Sequence, residues 1–189
     1  MLLPLSWTGP YSWPGYENSN QLPPLPEQKG VYLQTFEFNG GYLIYAAGIT
    51  RRLFKVRFKE HSRAYLNGEY NVLDMPSIEN GFRSEHWHGW EYARSHREEF
   101  ENRRFELTPL IHNQLSRFRI FVVDLGDEKR IHERIESAVM TALYQQLPPI
   151  STIPDQGMFL SSKRDTEERV IVESSCDEII WGLPQLLPI

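Results

Sequence analysis

Apolar and polar positions change period three times along the chain. GVYLQTFEFN (residues 30–39) and YLIYAAGI (42–49) are rich in aromatic and β-branched residues. Asn39-Gly40-Gly41 between them is a short hairpin signal, so adjacent antiparallel strands are expected near 31–38 and 42–48. A helical period then takes over. Thr50 reads as a natural N-cap and Asn67-Gly68 as a stop, which predicts a helix over 51–66. On a 3.6-residue wheel Leu53, Phe54, Phe58, Ala64 and Tyr65 share one broad face, and Arg52, Lys55, Lys59 and Arg63 occupy the other. FRIFVVDL (118–125) reads as a third strand, followed by Gly126-Asp127 and a helix over 128–146. In that helix Ile131, Ile135, Ala138, Val139 and Ala142 form the apolar stripe. Glu136 sits at its edge beside Met140 and Leu143, while Glu133 points further toward solvent.

These elements predict an α+β fold: a small three-stranded antiparallel sheet flanked by helices, in one domain spanning 1–189. Residues 30–66 and 118–150 make its core. Residues 1–29 carry six prolines and read as an irregular arm, yet Trp7, Tyr11, Trp13 and Tyr16 are too many aromatics for a free tail. The arm is expected to pack on the domain. Residues 67–117 read as an insertion with a helix around 89–104. The extension over 154–189 is strand-like at 169–173 and 179–181, in the pattern of a hairpin through 174–177. His86-Trp87-His88-Gly89-Trp90 invites a metal reading, but i and i+2 histidines face apart on a helix and no third ligand accompanies them. It reads instead as a packing or DNA-facing loop.

Composition narrows the class. At 189 residues and 40% hydrophobic the chain can bury one good core. No apolar run approaches the ~20 residues of a membrane span, and the start lacks the pattern of a secretory signal. One cysteine, Cys176, excludes an internal disulfide framework. A soluble cytoplasmic protein without a membrane partner is expected. The net charge of −5 runs against nucleic-acid binding in bulk, but the first helix concentrates Arg51, Arg52, Lys55, Arg57, Lys59 and Arg63 against Glu60 alone. Binding responds to such local potential. A second basic cluster, over 94–104, is interleaved with Glu98, Glu99 and Glu101 and reads equally as a solvated helix face.

One local inconsistency stands out. Arg57 and His61 fall on the apolar side of the first helix, four residues apart and therefore neighbours. Burying a cation and an imidazole there costs several kcal/mol unless each finds partners, and such conflicts concentrate at functional sites.

Gly30-Val31-Tyr32 on one strand, Tyr45-Ala46-Ala47-Gly48 on the next, R-x-x-x-H on the following helix and Glu136 on the later one together resemble the GIY-YIG nuclease superfamily. The resemblance covers 30–66 and 118–150. It implies a metal-dependent DNA endonuclease, restriction-like or mobile-element-associated, with Tyr32, Tyr45, Arg57, His61 and Glu136 as its catalytic set. In that scheme Glu136 holds Mg²⁺ or Mn²⁺, with waters and substrate phosphate completing its shell. Arg57 holds the scissile phosphate with its planar fork. Tyr32 positions or deprotonates the attacking water, assisted by His61. Arg52, Lys55, Lys59 and Arg63 are the expected DNA-binding residues. Two departures mark the chain: Ala46 stands where the family's second tyrosine is usual, and no asparagine follows the glutamate helix over 147–152. Tyr45 is one residue out of register, which turns it to the opposite face unless a bulge intervenes. These departures leave open a catalytically degenerate module that binds nucleic acid or protein, and an unrelated α+β protein with a chance match.

Overall fold

The computed structural model describes all 189 residues. Its centre is a five-stranded sheet in the order β2 (Thr8–Ser12), β7 (Arg119–Val123), β3 (Gly30–Phe38), β4 (Gly41–Thr50), β9 (Ile180–Trp181). A three-stranded sheet of β1 (Leu2–Ser6), β8 (Ile171–Ser175) and β10 (Leu186–Pro188) and the pair β5 (Val72–Leu73) with β6 (Glu85–Trp87) complete the strands. The helices are α1 (Glu17–Asn20), α2 (Phe54–Leu66), α3 (Met75–Glu79), α4 (Trp90–Ser95), α5 (Arg97–Arg117) and α6 (Lys129–Tyr144).

The expected small three-stranded antiparallel sheet is therefore corrected. β7, β3 and β4 do pair antiparallel, but they are only the middle of a larger, mixed sheet. β2 adds antiparallel to the outer edge of β7, and β9 adds parallel to β4. Exposed strand edges carry unpaired backbone groups that need partners. Of the partners, β2 lies in the arm expected to be irregular, whereas β9 falls in the expected strand at 179–181 but pairs with β4 rather than with 169–173. TGPYS has a central proline and no alternation, and β9 is two residues long.

Nor is the N-terminal segment irregular: β1 pairs parallel with β8 and β2 pairs with β7. The expected C-terminal hairpin does not form either. β8 lies between β1 and β10, whereas β9 joins the main sheet. The helix expected around 89–104 is two helices broken at His96, the second running to Arg117 through Pro109.

β3 is buried on both sides, and strict alternation sends its side chains into two cores. Val31 and Leu33 join Phe121, Val123, Ile135, Val139 and Leu143 on the face covered by α6. Tyr32 and Phe36 join Phe54, Phe58, Trp13, Leu107, Ile111 and Phe118 on the face covered by α2 and α5. Trp13 is fully buried between Phe58, Tyr65 and Phe118, with ring centroids 4.8, 5.8 and 5.1 Å away. Its indole N–H donates to Ser62 Oγ at 2.8 Å. The arm is thus a structural part of the second core. No helix is long and apolar enough to cross a membrane.

Truncating Trp13 removes a large ring from the core, while the Ser62 hydroxyl keeps its bond to the Phe58 carbonyl. Trp13→Ala should destabilise the fold by about 3–5 kcal/mol, seen as a lower urea midpoint with little change in slope.

Candidate functional site

Tyr32 and Gly48 face each other across the β3–β4 pair. A Cβ on residue 48 would lie 2.3 Å from the Tyr32 ring and hydroxyl, so the phenol lies flat on β4 only because that position is glycine. Two residues further the ladder shifts register. Gln34 pairs with Ala46 but Thr35 pairs with Ile44, which leaves Tyr45 as the extra residue of a β-bulge. The bulge turns Tyr45 onto the same face as Tyr32, and Tyr45 and Ala46 both join the core that holds Tyr32.

The first turn of α2 differs from the expected cap. Thr50 ends β4, and its hydroxyl accepts from the Arg52 N–H at 3.0 Å, making a local turn. The helix starts at Phe54, with Leu53 in the cap position and 45% exposed. The faces otherwise follow the wheel: Phe54, Phe58, Ala64 and Tyr65 are buried, and His61 is buried with them. His61 is satisfied on both sides. Its Nε2 lies 2.7 Å from the Tyr32 hydroxyl and its Nδ1 3.2 Å from the Tyr70 hydroxyl. Burial, reinforced by the Arg57 guanidinium, lowers its pKa to about 3, so the ring is neutral. Arg57 is less well served. Its Nε is buried without a partner, and its only acidic contact is Glu60 at 3.5 Å.

Glu136 comes from α6, which packs on the other face of the sheet. β9 covers β4 only at Tyr42 and Leu43, so the far half of β4 is paired on one side only, by β3. Glu136 reaches the cleft along that open side, where Ala46, Ala47, Gly48 and Ile49 form the wall. Its carboxylate has no ion pair among the salt bridges of the chain, in contrast to Glu133, which binds Lys129 and Arg130. Burial raises the Glu136 pKa to about 7, opposed by Arg57 and helped by Glu133. Burial likewise pushes the Tyr32 phenol up, against the pull of Arg57.

Tyr32, Tyr45, Arg57, His61 and Glu136 thus line one cleft of about 150 Å³. Tyr70, Trp90 and Asp155 line it too, and the sequence reading did not single out their roles there. Asp155 is buried, and burial raises its pKa. Its Oδ1 accepts from Asn71 Nδ2 (3.4 Å), Trp90 Nε1 (3.2 Å) and the Gly157 N–H (3.2 Å). No group of three or more His, Cys, Asp or Glu side chains converges as a metal cage. Glu136 is the carboxylate left free, which suits a hard cation that keeps its waters and binds through one carboxylate plus phosphate.

The four residues expected to meet DNA lie outside the cleft on α2. Lys55, Lys59 and Arg63 are exposed and unpaired, but Arg52 is clamped by both oxygens of Glu60. The second basic cluster is largely neutralised: Arg94 pairs with Glu91, Arg103 with Glu99 and Glu106, and Arg104 with Glu101, which leaves Arg97 without an ion pair. The histidine pair holds no common ligand position. His86 faces Asp74 and His88 faces Glu85, on either side of buried Trp87.

An acid whose pKa is higher folded than unfolded keeps its proton longer in the folded state. Its charge therefore costs stability as pH rises from the ordinary 4.5 to about 7. In metal-free buffer Glu136→Gln should stabilise the protein by about 1–3 kcal/mol at pH 8 and leave it unchanged at pH 4, as thermal melts at the two pH values would show. No family model, curated protein or solved structure matches this chain.

Proposed function

We propose that the protein is a metal-dependent DNA endonuclease that hydrolyses phosphodiester bonds in this cleft, on the lines of the GIY-YIG nucleases it resembles. The observation that carries the reading is the convergence, in one small cleft, of a Tyr32–His61 pair, a guanidinium with a buried free N–H and an unpaired carboxylate. Phosphodiester cleavage asks for an activated water, charge stabilisation on the phosphoryl oxygens and help for the leaving oxygen. Arg57 supplies the fixed cation, and a phosphate oxygen would satisfy its orphaned Nε–H. Glu136 would hold the divalent cation, whose bound form adds Lewis-acid stabilisation of the phosphoryl group.

The proton path follows from the hydrogen bonds. The Tyr32 phenol is neutral at pH 7, so it accepts the proton of the attacking water only by passing its own to His61 Nε2. A neutral imidazole has one donor and one acceptor nitrogen, so with Nε2 accepting, Nδ1–H donates to Tyr70. Burial, with Arg57 adding to it, keeps His61 weakly basic. A bound phosphate anion beside Arg57 offsets the Arg57 contribution and makes the transfer easier. Tyr45, brought in by the bulge, lies under the Arg83 guanidinium, 5.7 Å from its ring centre, and shapes the floor.

Purified protein should nick supercoiled plasmid with Mg²⁺ or Mn²⁺. Glu136→Gln and Arg57→Ala should each lower the rate at least ~10²-fold, the usual cost of losing one preorganised electrostatic group. Full activity in both variants, or an inert wild type with either metal, would sink the reading and favour a binding module.

DNA binding is assigned to the outer face of α2. Charge reversal at Lys55 and Lys59 should weaken binding at low salt and flatten the salt dependence by about one log–log unit per lost phosphate contact. Thermal stability should move by no more than ~0.5 kcal/mol. Equal affinity across a salt titration would place the DNA elsewhere.

A further inference from the structure

The Trp90 indole packs over Gly157, where a Cβ would come 2.6 Å from the ring, and is otherwise held outside the apolar cores. Trp90 sits at φ +56°, the left-handed region that a bulky residue adopts only at a cost. It is half-buried and belongs to neither apolar core, yet three contacts fix it. Its N–H donates to Glu69 O at 2.8 Å, and its indole N–H donates to the buried Asp155. Gly89 before it lies so close to the 70–71 backbone that a Cβ there would come within 2.5 Å of the Tyr70 carbonyl carbon. That closeness, sealed by the Gly89 N–H to Asn71 Oδ1 bond at 2.7 Å, sets the Trp90 ring beside the Tyr70 ring, centroids 5.1 Å apart.

Both rings line the cleft that holds Arg57 and Glu136. They also line a separate groove of about 550 Å³ that contains Arg94 and Arg97. Arg94 is tied to Glu91, while Arg97 is exposed and forms no ion pair. An aromatic wall with a cation in the groove on either side has the chemistry that binds a nucleic-acid strand with an unstacked base: rings for the base, guanidiniums for its neighbouring phosphates.

We propose that Tyr70 and Trp90 form a stacking platform for an unpaired nucleobase next to the phosphate held by Arg57, with Arg97 receiving a neighbouring phosphate. The inference rests on the nuclease reading and narrows its substrate to single-stranded or locally opened DNA. The hydrogen bond to Asp155 fixes the indole in the lining of the cleft.

The test compares two fluorescent oligonucleotides of about a dozen residues, one of thymidine and one abasic throughout, bound to the full chain in chelator. Wild type should bind the thymidine strand more tightly than the abasic one. Trp90→Ala should weaken thymidine binding roughly tenfold or more, since a stacked base is worth that much, and leave abasic binding unchanged. Trp90→Phe should retain most of the preference. Unchanged abasic binding reports that a variant is folded and its cations are in place. Equal binding of both strands by wild type, or a parallel loss on both strands in Trp90→Ala and Trp90→Phe alike, overturns the platform. Plasmid nicking that persists alongside either result leaves the nuclease reading standing without it. Absence of binding and of nicking together overturns both.

Discussion

The contact between the Tyr32 phenol and Gly48 is what the cleft is organised around. The phenol lies on a bare stretch of backbone, and its hydroxyl is thereby aimed along the sheet at His61 rather than out to solvent. That fixes the side of α2 that must face the sheet, and Arg57, one turn earlier, follows. A methyl group at position 48 would lift the ring and uncouple the hydroxyl from the imidazole. Position 48 therefore constrains the site more tightly than any residue with a functional group.

The second constraint is electrostatic. Burial holds the cleft in its neutral forms: a protonated phenol, an uncharged imidazole and a carboxyl that titrates near neutrality. Arg57 is the fixed charge among them. A cleft whose fixed charge is a cation among three neutral groups attracts an anion; on the proposed nuclease reading, phosphate and a divalent cation would complete its charge. The rest of the surface is consistent with such selectivity. Arg103 and Arg104 of α5 are cancelled by acids one turn away and Arg117 by Glu79, which leaves Arg97 of α5 and Lys55, Lys59 and Arg63 of α2 as exposed cations without an ion pair.

Much of this was legible in the chain. Runs rich in aromatic and β-branched residues located β3, β4 and β7, helical spacing located α2 and α6, and the misfit of Arg57 and His61 on an apolar stripe pointed at the cleft. What escaped was non-local. β2 carries a proline, so it is a strand only because an open edge waits beside it, and two-residue β9 pairs with β4 rather than with 169–173. The bulge that redirects Tyr45 depends on pairing with Gln34 and Thr35, and nothing in YLIYAAG by itself announces it. Asp155 and Trp90 meet 65 residues apart, a distance across which no periodicity reaches. Thr50 looked like a helix cap because its hydroxyl does bind a following N–H, but it closes a turn before the helix begins.

The pairing of β1 with β8 bears on how the molecule reaches this state. Trp7 donates to Ser174, 167 residues away, and β2 lies against β7 across more than half the chain. Contacts of such separation close large loops before any of their energy is returned, and they slow folding more than they affect final stability. The strands that arrive first in synthesis must wait for partners that arrive last. Until β8 follows, Trp7 lacks its Ser174 partner and β1 its paired edge, the kind of exposed surface that calls on chaperones.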